Sequence, residues 1–446
     1  MADAKGDNLL NRNKNRKKKI KTGTVVLAGN PMLDLSLSVS PKTLEDLNLS
    51  EGEAGRSFSE DARTRIIETV KQSPTSVSSA GGSAANTAMA LQWALGDRAR
   101  CGDGDTASHN ATGDGASASI IKACVCIGAV GEDEAGRRLE CALRKANVRP
   151  LFQRVRGTLT GQCAILVPEE SGDRCLVAQR GAYRHLDPKF VTSPNSPAHK
   201  AIEDAEILYC TSFLTSTEKR FKAVEYMASY AHETGKVFAL NLSCASMLGG
   251  SVDIRERVIS LLPRTSLLFS NELEAKTLAL ALKSNTKNVD PHKAKGNSPI
   301  CSCSMTAKEA ARTIATHLLP GATAAITRGA KTTLVATRSP MNMRRGLSEE
   351  KGTEEEAIAI KEHAIYVGEH AQLDDGSDLN NKLGPVVDTN GAGDAFVGGY
   401  LAAVVAGYPF DSTQAVESGH FAAGIAVRCR GAVWEEPRLL PSPKSL

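Results

Sequence analysis

The sixteen residues Gly384-Pro-Val-Val-Asp-Thr-Asn-Gly-Ala-Gly-Asp-Ala-Phe-Val-Gly-Gly399 decide how this chain is interpreted. Within them, Val386–Val387 is typical of the end of a buried strand, Asp388–Gly393 of a tight glycine turn, and Ala392–Ala406 of an apolar helix. A helix that begins after such a turn presents unpaired backbone N–H groups and the positive end of its dipole, and both bind phosphate. Because Asp394 stands in the first helical turn, the stretch predicts an anion site beside a base, an arrangement suited to phosphoryl transfer.

A simpler interpretation of the same stretch is available. It is not a dinucleotide-binding fingerprint, because Gly391-x-Gly393-x-x-Phe396 lacks the third glycine, and the chain has no Gly-x-x-x-x-Gly-Lys-Ser/Thr phosphate loop. A glycine turn before an ordinary core helix, with Asp394 as a surface charge that compensates the dipole, explains the residues equally well. The other segments of the chain are needed to choose between the phosphate site and the capped core helix.

Length and composition are those of a globular protein. The chain has 446 residues, 41% of them hydrophobic, which is enough for a sizeable core. Its 11 cysteines are dispersed, since a single residue separates Cys124 from Cys126 and Cys301 from Cys303, and no histidine pair has zinc-ligand spacing. With no signal peptide and no apolar run near 18 residues, we expect a soluble cytoplasmic protein with reduced thiols.

Four polar segments are expected to stay outside the core. Residues 1–22 hold eight basic and two acidic residues, a net charge of +6 that leaves −2 for the rest of the chain. We expect this tail to be disordered and solubilising, with nuclear import as the alternative. Flexible insertions are predicted at about 97–119, 284–305 and 338–378, the last with an edge strand at His363–Val367.

Strands and helices alternate over most of the chain. Buried strands predicted at Thr24–Ala28 and Cys124–Gly131, with a helix at Thr87–Leu95 between them, precede a regular succession of strands and helices over residues 206–327. Such alternation implies right-handed βαβ crossovers and a mainly parallel sheet with helices on both faces. We therefore expect an α/β fold in one domain, residues 23–446.

A small β lid is predicted from segments at about 33–55 and 151–182. Leu35–Val39 alternates polar and apolar residues, as a half-exposed strand does. The runs Gly161–Val167 and Arg174–Ala178 flank a polar turn and are typical of a hairpin. Closure of such a lid would exclude water from a transferring phosphoryl group.

Polar side chains follow the predicted strands where each strand ends. Because the carboxyl ends of parallel strands meet at one edge of an open sheet, ligands bind at that edge. These residues are Asn30 and Asp34, Asn241, Asn271 and Glu274, Thr327 to Gly329, and Asp388 to Asp394. Each could cap a helix, which is the commoner role of Asn and Asp at such junctions, but five groups together favour an active site.

These motifs, in this order, resemble the ribokinase-like (PfkB) family of sugar and nucleoside kinases, and within it most closely the adenosine kinases. The matching segments are Gly29–Asp34, Gly81–Ser83 with Asn86 and Gln92–Trp93, Thr160–Ala164, Leu240–Ser243, Asn271–Ala275, Asp388–Gly399 and Gly419–Ala423. They span about residues 24–437 and leave the tail and the three insertions unmatched. The resemblance implies a ribokinase-like fold and ATP- and Mg²⁺-dependent phosphorylation of the adenosine 5′-hydroxyl to AMP, a step of purine salvage.

Residue roles follow from the resemblance alone. It implies that Asp394 is the base for the 5′-hydroxyl and that backbone groups of Gly391, Ala392 and Gly393 form the anion hole. The acceptor-binding residues that it implies are Asn30, Asp34, Gly82, Ser83, Asn86, Cys163, Arg174, Leu176, Phe213 and Asn241. The ATP-binding residues that it implies are Asn271, Thr327, Gly329, Asp388, Thr389 and His420, and Asn271 with Glu274 would order Mg²⁺ through water.

Several positions depart from the adenosine kinase pattern. Gln179-Arg180 stands where an apolar lid residue is usual, Ser212 replaces an aromatic, and Arg328 separates Thr327 from Gly329. Arg174 itself could be an ordinary solvated charge on a hairpin. Three alternatives stay open: another nucleoside or sugar kinase, a non-catalytic nucleoside-binding protein of the same fold, and nucleic-acid binding through the tail. We expect a monomer that acts on small molecules, without a specific nucleic-acid or membrane partner.

Overall fold

The computed structural model describes residues 24–49, 58–96, 124–168, 175–283, 305–340, 357–365, 389 and 391–428. Strands in these ranges are β1 Thr24–Ala28, β2 Met32–Val39, β3 Val77–Gly81, β4 Cys124–Gly131, β5 Val148–Val155, β6 Gly161–Pro168, β7 Cys175–Gln179, β8 Ala205–Thr211, β9 Val237–Asn241, β10 Leu267–Asn271, β11 Thr323–Arg328, β12 Lys331–Arg338 and β13 Ile358–His363. They form two sheets.

Helices surround these strands. The α-helices in the described ranges are α1 Pro41–Asp46, α2 Glu60–Gln72, α3 Ser83–Leu95, α4 Glu134–Lys145, α5 Lys189–Thr192, α6 Pro197–Asp204, α7 Glu218–Thr234, α8 Ala245–Gly250, α9 Val252–Leu261, α10 Glu272–Lys283, α11 Ala307–His317, α12 Ala392–Val405 and α13 Thr413–Ala426. A 3₁₀ turn at Ser212–Ser216 follows β8.

The large sheet has nine strands in the order β13-β12-β11-β10-β9-β8-β1-β4-β5. Its neighbours are parallel from β11 to β5, and β12 and β13 are added antiparallel at one edge. Side chains of β1 alternate between the two faces: Val26 and Ala28 join a core with α6, α7, α10 and α11, whereas Val25 and Leu27 join one with α3, α12 and α13. The predicted α/β architecture with helices on both faces is confirmed.

The small sheet has four strands in the order β3-β2-β6-β7, and α2 packs on it through Ile66, Ile67 and Val70. Strand β2 follows directly from β1, so one short segment joins the two sheets. A second junction lies at Thr160, which accepts a hydrogen bond from the Gly131 amide at 2.9 Å and donates one to Asp133 Oδ1 at 2.6 Å.

The structure confirms most predicted elements and moves some. Helix α3 begins at Ser83, four residues before the predicted start, and the edge strand occupies Ile358–His363 rather than His363–Val367. Two strands of the large sheet were not predicted: β5, at one edge, and β12, between β11 and β13. The basic tail, the insertion at 97–119, the strand end Val386–Val387 and most of the two later insertions lie outside the described residues.

Candidate active site

Helix α12 begins directly after its N-cap residue Gly391, whose φ of +74° lies in the left-handed region that favours glycine. Asp394 stands in its first turn, and the residues from Ala395 to Val405 are all buried. A helix that is apolar on every side belongs in a core. Its buried body thus fixes where its first turn, and Asp394, can lie.

Two glycines let α12 pack between α3 and α13. A Cβ at Gly398 would lie 2.6 Å from Ala90 Cβ and 2.7 Å from the Leu91 amide nitrogen, both on α3. A Cβ at Gly399 would lie 2.3 Å from the Ser418 carbonyl oxygen on α13. The Gly-Gly pair at the end of the quoted stretch therefore serves helix packing, not phosphate contact.

The carboxylate of Asp394 is held by two side chains from the first turn of α3. Ser83 Oγ donates to Asp394 Oδ1 at 2.5 Å, and Asn86 Nδ2 donates to Asp394 Oδ2 at 3.2 Å. Residues three apart lie on one face of a helix, so both donors point at the same group. The close packing of α3 on α12 brings them there.

Burial changes the acidity of this group. Asp394 keeps some exposure to the cavity, yet protein surrounds its carboxyl group, and this desolvation raises its pKa to about 6 against the opposing hydrogen bonds from Ser83 and Asn86. A carboxylate whose pKa lies nearer to neutrality is a better match for a general base at physiological pH. The environment of Asp394 is therefore that of a functional group rather than a surface charge.

Asp34 and two glycines form the wall beside α3. Asp34 is buried on β2, and a Cβ at Gly81 would lie within 2.2 Å of its carboxylate. Gly82 has a φ of +88°, and a Cβ there would lie 2.1 Å from the Asn30 carbonyl oxygen. Both positions require glycine because the backbone of β3 runs directly against these groups.

Asn271 and Glu274 form a reciprocal pair at the start of α10. The Glu274 carboxylate accepts from the Asn271 amide and from Asn271 Nδ2, each at 2.9 Å, and Asn271 Oδ1 accepts from the Glu274 amide at 2.8 Å. This geometry caps the helix. Burial, and secondarily the charge of Asp394, raises the pKa of Glu274 to about 7 despite the hydrogen bond from the Asn271 backbone.

One cavity of about 580 Å³ collects most of the predicted site. The predicted residues that line it are Asn30, Asp34, Gly82, Ser83, Asn86, Cys163, Leu176, Phe213, Asn241, Asn271, Glu274, Thr327, Gly391, Gly393 and Asp394. Three of them are carboxylates, and no Lys or Arg in the described part of the chain lines the cavity. Two buried oxygens on its wall, Asn86 Oδ1 and Ser270 Oγ, lack a hydrogen-bond partner among the described residues.

Four predicted residues are not among those that line this cavity: Ala392, Gly329, Thr389 and His420. The Ala392 amide donates to the Thr389 carbonyl at 3.3 Å, so this N–H serves the turn. His420 packs on the Phe396 ring and pairs through Nε2 with Thr333 Oγ1 at 2.8 Å. Burial lowers its pKa to about 4, which keeps the ring neutral. The predicted residues Arg174 and Asp388 lie outside the described residues.

Other lining residues were not predicted. Met32, Ile165 and Ala178 stand two residues from predicted neighbours on the same strands, so the period of two along β2, β6 and β7 would have found them. Tyr209 does not line the cavity but contacts Asn241, which does, and it has no such local signal. Its buried hydroxyl accepts from Asn241 Nδ2 at 3.0 Å, and burial raises its pKa.

The sequence of this chain matches that of a known family over most of its length. The sequence profile of the pfkB family of carbohydrate kinases matches residues 48–346 and 381–437, which is most of the chain. The chain belongs to the pfkB family. The unmatched gap between the two segments, residues 347–380, overlaps most of the insertion predicted at about 338–378.

This pfkB-family kinase is similar to named kinases in sequence and to kinases of known structure. The adenosine kinase of Saccharomyces cerevisiae is 25% identical over 410 residues, 91% of this chain and 95% of that protein. The structure of Anopheles gambiae adenosine kinase in complex with P1,P4-di(adenosine-5) tetraphosphate superposes with a TM-score of 0.66 at 24% identity and covers 94% of this chain and 99% of that one. A probable sugar kinase from Rhizobium etli has a TM-score of 0.63 at 19% identity, with 95% and 96% covered.

Membrane-spanning helices and clusters of metal-binding side chains are both absent from the described ranges. None of the helices there has the length and hydrophobicity that a membrane crossing needs. No three His, Cys, Asp or Glu side chains in those ranges are grouped as ligands for a metal ion.

Proposed function

We propose that this kinase transfers the γ-phosphoryl group of ATP to the 5′-hydroxyl of adenosine and releases AMP and ADP. The observation that carries the proposal is Asp394, a desolvated carboxylate held by Ser83 and Asn86 in the first turn of α12, inside the cavity that most of the predicted residues line. The similarity to adenosine kinases over nearly the whole chain supports adenosine as the acceptor.

Asp394 acts as the base. Its carboxylate takes the proton of the 5′-hydroxyl as that oxygen forms a bond to the γ-phosphorus, and the bond from the γ-phosphorus to the β,γ-bridging oxygen of ATP breaks. The leaving ADP carries the electron pair. Ser83 and Asn86 hold the carboxylate in one orientation, so no reorganisation precedes the transfer.

Backbone groups at the start of α12 receive the transferring phosphoryl group. Gly391 and Gly393 line the cavity beside Asp394, where the helix dipole favours negative charge. The Ala392 amide would have to leave its 3.3 Å contact with the Thr389 carbonyl to join them. We therefore assign to Gly391 and Gly393 the larger part of the anion hole, with Ala392 added when phosphate is bound.

The cavity suits ATP bound with a divalent cation. Asp394 and Glu274 place two carboxylates in a space whose described lining offers no basic side chain, and burial raises the pKa of each. Asn271 and Glu274 would hold Mg²⁺ through water molecules, consistent with the hydration that this ion keeps. When bound, Mg²⁺ supplies the positive charge that the phosphates require.

The acceptor wall offers the groups that a ribose requires. Asp34 accepts hydrogen bonds, and Asn86 Oδ1 is a buried acceptor without a partner among the described residues. Ribose hydroxyls can donate to both, and a hydroxyl that reaches Asn86 Oδ1 would pair it, since a buried polar atom costs free energy until it is paired. The small sheet, which supplies Asp34, Cys163 and Leu176, would close over the nucleoside as a lid.

The residues that depart from the adenosine kinase pattern favour a second candidate, another nucleoside or sugar kinase. Gln179 Nε2 donates to Thr64 Oγ1 at 3.1 Å, and Ser212 Oγ donates to the Leu242 carbonyl, so neither adds an aromatic or apolar surface to the cavity. Arg328 bonds to Thr332 and Glu362 on the neighbouring hairpin. These residues leave open which nucleobase the acceptor carries, and they do not bear on phosphoryl transfer itself.

An acceptor panel separates the candidates. ADP release with ATP and Mg²⁺ would be measured for adenosine, guanosine, inosine, cytidine, uridine, ribose and fructose. We expect the highest kcat/KM with adenosine. A higher value with another nucleoside or a sugar would replace the acceptor and keep the kinase, and adenosine binding without ADP release from any acceptor would identify a non-catalytic binding protein.

A further inference from the structure

Arg220 is a buried arginine next to the acceptor wall. It is the third residue of α7 and is only 2% exposed. Its guanidinium donates through Nη1 to Asn30 Oδ1 at 2.8 Å, through Nε to Thr217 Oγ1 at 3.3 Å, and through Nη2 to Ser216 Oγ. Asn30 itself lines the cavity, so one side chain connects the buried charge with the site.

This placement is unfavourable for stability alone. No carboxylate among the described residues pairs with Arg220, and the first turn of a helix is the positive end of its dipole. The Tyr183 ring, whose centroid lies 5.8 Å from the guanidinium carbon, offers the nearest compensating electron density. Burial lowers the pKa of Arg220 to about 10. A residue that is placed against such local energetic preferences commonly serves function.

The chemistry of the contact fixes the orientation of the Asn30 amide. A guanidinium has five N–H donors and no acceptor, so only the oxygen of Asn30 can face Arg220. Asn30 Nδ2 therefore points away from Arg220, and it has no hydrogen-bond partner among the described residues. Without Arg220, both orientations of the amide would be open.

We infer that Arg220 is a positioning residue, which holds Asn30 so that its N–H₂ group donates a hydrogen bond to the acceptor substrate. The inference rests on the proposed function of the same cavity. It adds a chemical requirement: the acceptor must present an oxygen or an unprotonated ring nitrogen to the corner of the cavity formed by Asn30 and Tyr183. Acceptors that present only C–H groups there would leave a buried donor unpaired.

Arg220→Met, Asn30→Ala and the double variant test the inference. KM would be measured for the best acceptor of the panel, with its Kd in the absence of ATP. Loss of one donor predicts that Asn30→Ala raises KM about tenfold and that Arg220→Met raises it about threefold to tenfold, with kcat within about threefold of wild type. If Arg220 acts through Asn30, adding Arg220→Met to Asn30→Ala changes KM less than about twofold.

Asn30→Asp separates positioning from support of the fold. The aspartate still accepts from Arg220 and adds a counter-charge, but it has no N–H to donate. We expect a higher unfolding midpoint together with a KM raised about tenfold, whereas a merely structural role predicts an unchanged KM. The matched control is Arg257→Met, because Arg257 donates to the Thr215 carbonyl of the same 3₁₀ turn at 3.0 Å without touching Asn30.

The outcomes are distinct. Multiplicative effects of Arg220→Met and Asn30→Ala on KM, or an unchanged KM in Asn30→Asp, would overturn the positioning role while the kinase assignment stands. A KM change in Arg257→Met as large as that in Arg220→Met would also overturn it, because the effect would then belong to the turn. A wild-type protein that turns over no acceptor would reject the proposed function, and the inference with it.

Discussion

At the scale of single residues, the Asp394 carboxyl group is subject to opposing influences. Desolvation raises its pKa to about 6, and the hydrogen bonds from Ser83 and Asn86 act in the other direction. Only the ionised form can accept the proton of a hydroxyl group. The protonation state of this one residue therefore sets the lower pH limit of the proposed reaction.

We predict that kcat/KM for the best acceptor falls about tenfold per pH unit below a midpoint near pH 6, because protonated Asp394 cannot act as base. Ser83→Ala removes a hydrogen bond to the ionised form, so its midpoint should lie at higher pH than that of wild type. The measurement is a pH–rate profile at saturating ATP and Mg²⁺. A flat profile from pH 5 to 7, or a midpoint that Ser83→Ala does not move, would contradict the assignment.

At the scale of elements, the packing of α12 on α3 connects fold and site. Gly398→Ala would place a Cβ within 3 Å of the α3 backbone at Thr87 and Leu91. We expect a loss of about 1–3 kcal/mol in the free energy of unfolding in urea, although alanine gains about 1 kcal/mol in helix propensity. Gly250→Ala is the control, since open space surrounds its Cβ position. A Gly398→Ala variant as stable as wild type would contradict the predicted steric conflict between α12 and α3.

The junction between the two sheets depends on Thr160. Thr160→Val removes the donor to Asp133 Oδ1 and the acceptor for the Gly131 amide, so we expect a loss of about 1–3 kcal/mol at pH 7. Burial alone would raise the pKa of Asp133, but hydrogen bonds from Thr160 and Gly136 leave it lowered. Its contribution is thus present above the unfolded pKa of 3.8 and lost as pH falls through the folded value.

Urea unfolding of Thr160→Val between pH 7 and pH 3 checks this prediction. The difference from wild type should shrink towards the acid end, where wild type loses the same interaction. Thr158→Val is the control, because the Thr158 side chain makes no hydrogen bond among the described residues. A deficit that is independent of pH would assign the effect to packing rather than to the carboxylate.

At the scale of the whole molecule, we expect the positive charge of residues 1–22 to take no part in phosphoryl transfer. Deletion of residues 1–22 changes the formal net charge from +4 to −2. We expect kcat and KM to stay within about twofold of wild type, since the cavity is built from residues of the two sheets and their helices. Acceptor kinetics and binding to DNA at 50 and 200 mM salt would both be measured. Specific, salt-resistant nucleic-acid binding by the full chain would instead support the alternative role.

The strand-and-helix alternation and the local motifs predicted the fold and most of the cavity. Asp394, Ser83 and Asn86 could be found because each stands in a glycine-rich segment before an apolar helix. Arg220 and Tyr209 could not, because their importance arises from contacts 190 and 32 residues away along the chain. Strand β5 was missed because it is an edge strand whose polar residues interrupt any apolar run, and β12 because its apolar run is only the three residues Leu334–Ala336.

The most direct test of the account is the turnover of Asp394→Asn with the best acceptor of the panel, measured as ADP release with ATP and Mg²⁺. The variant keeps the volume of the side chain and removes a desolvated charge, so we expect it to fold with at least wild-type stability. Loss of the base predicts a decrease in kcat of at least about 10²- to 10⁴-fold. A folded Asp394→Asn variant with kcat within tenfold of wild type would contradict the central claim.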